Sequence, residues 1–509
     1  MERTTTRRAL LAGTATLAAA GAAAAIVGVV EQSGGGGSKK DESAKGAVAT
    51  TKAVKNLDAP IDDPKRRAAH LLRRAGFGGT QAEIDAFAKL SREDAADRLV
   101  NYETIDNSAL DARLLKGGFD FTYSQNQLVR AIFNMQRWWL TRMAYTARPL
   151  EERMTLIWHG LLTSQVSKVG VPFSKLMLAQ NELFRTNALG KYDSLVKAVS
   201  RDPAMLYYLD NIESTKAHPN ENYARELMEL FTLGEGHYTE QDIRESARSF
   251  TGWRVTPPTR TGDNERDIAT WNPVFFVQPA QHDTGAKTFM GKTGNFNGDD
   301  IVDIIMEQPQ AGRFLCTRLF TEFANYNPDK KTIDKLVAVW ESSGHRVKDI
   351  VRAILVSDEF YSERSYRGFV RSPVELLVGA VRALQIETDF TPIATQEFRT
   401  MDQTLFEPPN VAGWPGGSVW LSSSTFYARA NFLDTFLFRR NRPIELPALA
   451  GAPTPQTMAD VALKVLVDDN VAADARKSIT EYAGTVTNPT ERAAAVAYLV
   501  LASPEYQLI

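Results

Sequence analysis

The sequence of 509 residues is poor in two residue types that often form functional sites, with one cysteine, Cys316, and six histidines. A single cysteine excludes an intramolecular disulfide and a zinc or iron–sulfur site built from several thiolates. The sequence also lacks an excess of one charge, because 59 Lys and Arg residues against 61 Asp and Glu residues give a net charge of −2. Without a basic surplus that would attract polyanions, we expect no nucleic-acid partner.

The composition and the hydrophobic periodicity predict a mainly α fold. Hydrophobic residues make up 43% of the chain and charged residues 24%, which excludes disorder, collagen-like repeats and a polytopic membrane protein. From about residue 61, apolar residues recur at helical spacing, as in residues 128–145, 153–162 and 175–185. We therefore predict a multi-helix globular body.

A short part of the chain departs from this helical pattern. Between residues 254 and 296 lie Pro257-Pro258, several glycines and an apolar run at residues 274–277. We predict a small irregular excursion with a β-hairpin, whose first strand is this run and whose second strand lies near residues 287–290. The tip of this hairpin would carry His282 and Asp283.

The N-terminus has the features of an export signal. Arg7 and Arg8 form a twin arginine before residues 9–30, which carry no charge and consist mostly of Ala and Gly with a few larger apolar residues. This pattern predicts export by the twin-arginine route to an extracytoplasmic location, in the cell envelope or secreted. Residues 26–30 extend the apolar run far enough for an uncleaved anchor. Membrane contact is therefore expected only through this segment, if it stays uncleaved.

These features divide the chain into four predicted parts. Residues 1–30 are the twin-arginine signal or anchor, and residues 31–60 are a flexible linker rich in Gly, Ser and Lys. Residues 61–440 form the helical domain with its β excursion. Residues 441–509 form a C-terminal helical portion that we expect to pack on this domain.

One helix, starting near Asn220, carries an unusual number of polar residues. Tyr223, Leu227, Leu230 and Phe231 would form its buried stripe, and Glu226 lies beside that stripe. A partly buried carboxylate needs a partner. The alternative is an ion-paired helix surface, because Glu221, Arg225 and Glu229 recur at four-residue spacing.

Five polar side chains in unusual local sequence are candidates for a shared divalent metal site: His159, His218, Glu226, His282 and Asp283. A metal held by these residues would activate water or polarise an ester, amide or phosphate oxygen. Glu226 would be a ligand or general base, His282 a second catalytic group, and Arg225 an anion clamp. The histidines lack the spacing of known ligand motifs, so the alternative for each is a structural or surface role.

A loop rich in Trp, Gly and Pro is the second candidate site. Residues 408–420, which we call the tryptophan loop, contain Asn410, Trp414 and Trp420. Its prolines and glycines exclude a helix over most of its length. Tryptophans in such a loop stack on sugar rings or fix the loop to the core.

At these segments the chain resembles the bacterial domain of unknown function 1800 family. The matching stretches are residues 69–78, 158–160, 220–236, 250–253, 282–289, 372–375, 408–417, 420–422 and 503–508. The resemblance implies no established activity. The family's genes often lie beside those of an exported alkaline-phosphatase-like family, which implies such a protein as a partner.

Two functions follow as hypotheses. The first is an exported metal-assisted hydrolase that gathers the histidines and carboxylates, with Glu226 and His282 in one pocket. The second is a non-catalytic envelope protein that binds a glycan or a partner protein through the tryptophan loop. Convergence of the polar residues in a closed pocket would favour the first hypothesis.

Overall fold

A computed structural model describes residues 56–122, 128–391, 395–438 and 443–509. The predicted signal and most of the predicted linker lie outside these ranges. Within them, no helix combines the length and the apolar character needed to cross a bilayer.

The described chain is mainly α, as the sequence predicts. The helices of the first half are α1 Pro64–Arg74, α2 Gln81–Phe87, α3 Arg92–Val100, α4 Ser108–Lys116, α5 Leu128–Tyr145, α6 Pro149–Leu161, α7 Val166–Val169, α8 Ser174–Thr186, α9 Tyr192–Ser200, α10 Pro203–Tyr208, α11 Glu221–Glu226 and α12 Glu240–Ser249. Short 3₁₀ turns lie at Tyr102–Thr104, Val171–Phe173, Asn211–Glu213 and Gly417–Leu421, and a π-helical segment, Leu227–Thr232, follows α11.

The second half of the chain is also built from helices. They are α13 Asn264–Thr270, α14 Gly298–Met306, α15 Pro309–Phe323, α16 Lys330–Ser342, α17 Val347–Val356, α18 Pro373–Leu384, α19 Thr395–Thr400, α20 Ser423–Phe438, α21 Pro447–Ala450, α22 Pro455–Val467, α23 Ala473–Thr485, α24 Pro489–Leu501 and α25 Pro504–Gln507.

Local sequence sets where these helices begin. The predicted helix at residues 153–162 starts four residues earlier, because Pro149 occupies the first helical position, where its missing N–H costs nothing. Thr239 and Asp242 form a capping box at the start of α12. A second capping box, Ser372 with Glu375, begins α18.

The β excursion exists, but the predicted hairpin is wrong. Strand β1 Trp253–Val255 pairs with β2 Phe275–Val277, and β3 Lys287–Phe289 pairs with β4 Lys292–Gly294, both antiparallel. The two predicted strands therefore belong to different sheets. The tight turn at Met290 and Gly291 gives β3 a partner close in sequence. Strand β2 pairs instead with β1, which follows α12.

A single cluster of buried apolar side chains extends from Ala68 in α1 to Tyr506 in α25. Helix α24 packs on α20, and α21 and α22 pack on α18. The last residues of the chain form a bridge between Val370 and Leu508, directly before α18. These contacts bring α1, α18 and the chain's last residues together near the tryptophan loop.

Candidate ligand-binding site

The polar residues of α11 lie on a paired surface. Arg225 donates to Glu240 at 2.9 and 3.0 Å and lies 3.6 Å from Glu221. Glu226 is half-buried, and burial together with the nearby Glu229 raises the pKa of its carboxyl. These contacts match the ion-paired surface that the sequence offered as the alternative for Arg225.

His282 and Asp283 lie in the turn between the two sheets, and both are bonded to the end of α12. The Nδ1 atom of His282 lies 2.8 Å from the Thr251 carbonyl oxygen, and the Asp283 carboxylate accepts from Arg248 at 2.8 Å. Burial raises the pKa of the Asp283 carboxyl, but the hydrogen bonds from Arg248 and the Gly285 N–H, together with the charges of Arg248 and Lys287, outweigh it and hold the pKa below its ordinary value. His218 is exposed, in a turn where its N–H donates to Thr215.

His159 is enclosed by aromatic rings. Its ring centroid lies 5.5 Å from that of Trp139 and 5.4 Å from that of Trp414. The side chain is buried, and its Nε2 atom has no hydrogen-bond partner among the described residues. Burial lowers the pKa of His159 to about 3, so the ring is neutral at physiological pH.

The residues described by the structure contain no group of three or more His, Cys, Asp or Glu side chains that could hold a metal ion. All five predicted ligands lie within the described ranges, and the contacts above tie them to different neighbours. The structure therefore does not bring His159, His218, Glu226, His282 and Asp283 together as one such group.

A cavity of about 350 Å³ lies beneath the tryptophan loop. It is built from segments far apart in sequence: the end of α1, the middle of α6, the end of α15, the start of α18, and the loop itself. The charged and aromatic side chains in its wall are Arg74, Arg153, Arg318, Glu322, Tyr326, Phe369, Glu375, Trp414 and Trp420. We call it the tryptophan-loop cavity.

Close packing on α6 holds the loop in place. Gly413 has φ +85°, and a Cβ atom there would lie 2.2 Å from the Gly160 carbonyl oxygen, so only glycine fits. The Trp414 indole packs beside Gly160 and against the His159 ring. Asn410 is exposed and closes the preceding turn by accepting from the Ala412 N–H at 2.9 Å, so it shapes the loop and does not line the cavity.

The cavity wall contains hydrogen-bond donors that lack acceptors. The indole Nε1 atoms of Trp414 and Trp420 and the Nε atoms of Arg153 and Arg318 are buried, and none has a partner among the described residues. Buried polar groups are nearly always paired in native proteins, and a buried donor without an acceptor costs about 1–3 kcal/mol. Four such donors around one cavity could bind a ligand with acceptor oxygens.

Glu375 is the buried carboxylate of the cavity wall. One of its oxygens accepts from Arg153, and the other accepts from the Ser372 N–H at 2.7 Å. Burial raises the pKa of the Glu375 carboxyl, but Arg153 and the Ser372 N–H outweigh it and hold the pKa below its ordinary value. Glu375 is therefore ionised, and both of its oxygens are already used by the protein.

The arginines and Glu375 were not among the site residues that the sequence suggested. Arg74 ends a helix with several basic residues, and such residues ordinarily lie on a solvated surface. A usable signal did exist, because Arg74 and Glu375 fall within two of the stretches that resemble the family. Trp414 and Trp420 were predicted as ligand-loop residues, and the structure places both in the cavity wall.

The comparison with protein families agrees with these stretches. The family model described as "Protein of unknown function (DUF1800)" matches residues 70–508, and the chain belongs to this family. Neither a curated protein nor a solved structure matches the chain significantly.

Proposed function

We propose that this protein is an exported binding protein whose tryptophan-loop cavity holds a saccharide. The observation that carries the proposal is the pair of indole N–H groups, Trp414 and Trp420, which are buried without an acceptor in the wall of an open cavity. A sugar ring has an apolar face of C–H groups and a rim of oxygen atoms. Its apolar face can therefore stack on the ring of one indole while its rim oxygens accept a hydrogen bond from the in-plane N–H of the other.

The size and the lining of the cavity support the same proposal. A volume of about 350 Å³ lies within the range of small-molecule sites, which measure about 300–1,000 Å³. Tyr326 lies at the mouth, where its side chain is 46% exposed, and a Cβ atom at Gly417 would lie 3.8 Å from its hydroxyl oxygen. An exposed aromatic ring at this position extends the apolar wall toward solvent.

The hydrolase hypothesis has less support. It requires at least three of the predicted histidines and carboxylates to converge, and the described residues contain no such group. Export remains a proposal drawn from Arg7, Arg8 and the apolar segment behind them, which lie outside the described residues.

The test of the binding proposal is isothermal titration of the purified protein with soluble sugars: glucose, N-acetylglucosamine and glucuronate. We expect at least one of these sugars to bind. Trp420→Ala should weaken that binding about 3- to 10-fold, because an aromatic contact contributes about 0.5–1.5 kcal/mol. Trp420→Phe keeps an aromatic ring but loses the N–H donor and part of the stacking area, so its effect should be smaller than that of Trp420→Ala.

The matched control is Trp138→Ala, because Trp138 is also partly buried and does not line the cavity. This variant should bind the sugar as the unmodified protein does. The proposal is wrong if none of the three sugars binds, or if Trp420→Ala binds as tightly as the unmodified chain.

A further inference from the structure

We infer that the ligand of the tryptophan-loop cavity carries an oxyanion, a carboxylate or a phosphate, which binds between Arg153 and Arg318. The inference rests on the proposed function in that it adds an acidic group to the proposed saccharide. It is argued from the charges that the protein leaves unpaired around this cavity.

Two arginines in the cavity wall keep a hydrogen-bond donor without an acceptor. Arg153 is 7% exposed and gives one N–H to Glu375, while its Nε atom has no acceptor among the described residues. Arg318 lies 3.1 Å from Glu322, and its Nε atom is likewise without an acceptor. Both carboxylate side chains that line the cavity, Glu322 and Glu375, are thus already paired, which leaves the remaining arginine donors available for an acceptor from outside the chain.

Arg74 is a fully buried cation that forms no ion pair with a carboxylate of the described residues. Its guanidinium donates to the main-chain carbonyl oxygens of Phe323 and Glu322 at 2.8 and 3.0 Å and lies 3.6 Å over the Phe369 ring. Burial and the nearby Arg153 lower the pKa of Arg74 to about 9, which leaves the group charged at neutral pH. A buried charge without a counter-ion is costly.

Two more buried arginines lie directly behind this wall. Arg371 donates to the Tyr506 carbonyl oxygen at 2.8 Å, and Arg429 donates to the Arg371 carbonyl oxygen at 2.6 Å. Arg429 also bonds to the Gln507 side chain, and its Nε atom has no described acceptor. Neither arginine forms an ion pair with a described carboxylate.

Glu375 is the buried carboxylate that these cations share, because its charge acts on Arg74, Arg371 and Arg429 while its closest partner is Arg153. Glu322 also acts on Arg74 and Asp468 on Arg371, but each is already paired, Glu322 with Arg318 and Asp468 with Arg73. One shared carboxylate does not neutralise four guanidinium groups, so the region has a positive surplus. An oxyanion in the cavity would supply both the missing negative charge and the missing acceptors. A neutral sugar would supply only acceptors, and a cation would be repelled.

The experiment is isothermal titration with glucose, glucuronate, glucose 6-phosphate and inorganic phosphate, at one fixed salt concentration. The tested variant is Arg318→Gln, because the Arg318 side chain is 39% exposed. Its replacement should therefore disturb the packing of the core little. The matched control is Arg313→Gln on the same helix, which is also 39% exposed but pairs with Asp334 outside the cavity. Thermal unfolding checks that both variants fold.

We expect glucuronate or glucose 6-phosphate to bind at least about tenfold more tightly than glucose, and the tighter of the two identifies carboxylate or phosphate. Arg318→Gln should lower the affinity for the acidic ligand about 10- to 100-fold, because hydrogen bonds to charged groups usually contribute that much. Arg313→Gln should leave this affinity unchanged.

The outcomes separate this inference from the proposed function. If glucose binds as tightly as the acidic sugars, the inference of an oxyanion on the ligand is wrong and the saccharide proposal stands. If inorganic phosphate binds and Arg318→Gln abolishes that binding while no sugar binds, the oxyanion site is supported and the saccharide proposal is overturned. Equal affinity of the acidic ligand for Arg318→Gln and the unmodified protein overturns the inference.

Discussion

His159 should make the stability of this protein depend on pH in a way that one substitution removes. The ring is buried behind the tryptophan loop, and burial lowers its pKa to about 3 from an ordinary value of 6.5. In the unfolded chain the ring binds a proton below about pH 6.5, whereas in the folded chain it stays neutral until about pH 3. The contribution of His159 to stability is therefore lost as the pH falls through this window.

The size of the effect follows from the two pKa values. At pH 5 the unfolded state gains about 2 kcal/mol from protonating this ring, because each pH unit below about 6.5 corresponds to about 1.4 kcal/mol. His159→Phe removes the titrating group and keeps an aromatic ring among Trp139, Phe184, Phe406 and Trp414. Lowering the pH from 8 to 5 should therefore shift the free energy of unfolding by about 2 kcal/mol in favour of the variant.

Urea unfolding of both proteins at pH 8 and pH 5 measures this shift. Other titrating groups, including the buried His70, contribute equally to both proteins and cancel in the comparison. His237→Gln, at an exposed position, is the control for removing a histidine. A difference between His159→Phe and the unmodified protein that stays constant from pH 8 to pH 5 would refute the reasoning.

Two further predictions concern the loop and the export signal. Gly413→Ala should lower the free energy of unfolding by about 1–3 kcal/mol, because it adds backbone strain and a clash with the Gly160 carbonyl oxygen. The control is Gly451→Ala, whose added Cβ meets no described atom within 4 Å. This variant should leave the free energy of unfolding nearly unchanged, and urea unfolding of both variants measures the difference. Arg7→Lys combined with Arg8→Lys should leave the protein in the cytoplasm in cell fractionation, and unchanged export would contradict the predicted signal.

Much of the fold could be predicted because helices depend on local sequence. The helix predicted at residues 128–145 has those bounds. The strands near residues 274–277 and 287–290 were also placed correctly. Their pairing was not, because strand partners depend on contacts that are distant in sequence. The helix after Asn220 continues as a π-helix at Leu227–Thr232, a feature without a known local signal.

The cavity could be predicted only in part, because segments that are distant in sequence build it. The two tryptophans stood out as large side chains in a glycine- and proline-rich loop. The arginines did not, because helices commonly carry basic residues on their solvated faces. Burial of Arg74 results from the packing of α1 against the end of α15 and the chain's last residues, which periodicity within α1 does not reveal. Candidate residues chosen for metal chemistry instead form local pairs, such as Asp283 with Arg248.

A crystal structure of the protein grown with an acidic sugar that binds in the titrations tests the proposed site most directly. We expect the ligand to lie in the tryptophan-loop cavity, with its ring against Trp420. Its oxyanion should lie about 2.7–2.9 Å from guanidinium nitrogen atoms of Arg153 and Arg318, the usual length of charge-assisted hydrogen bonds. A ligand bound elsewhere, or an empty cavity whose arginine and indole donors are paired with groups of the protein, would show that the proposed site is wrong.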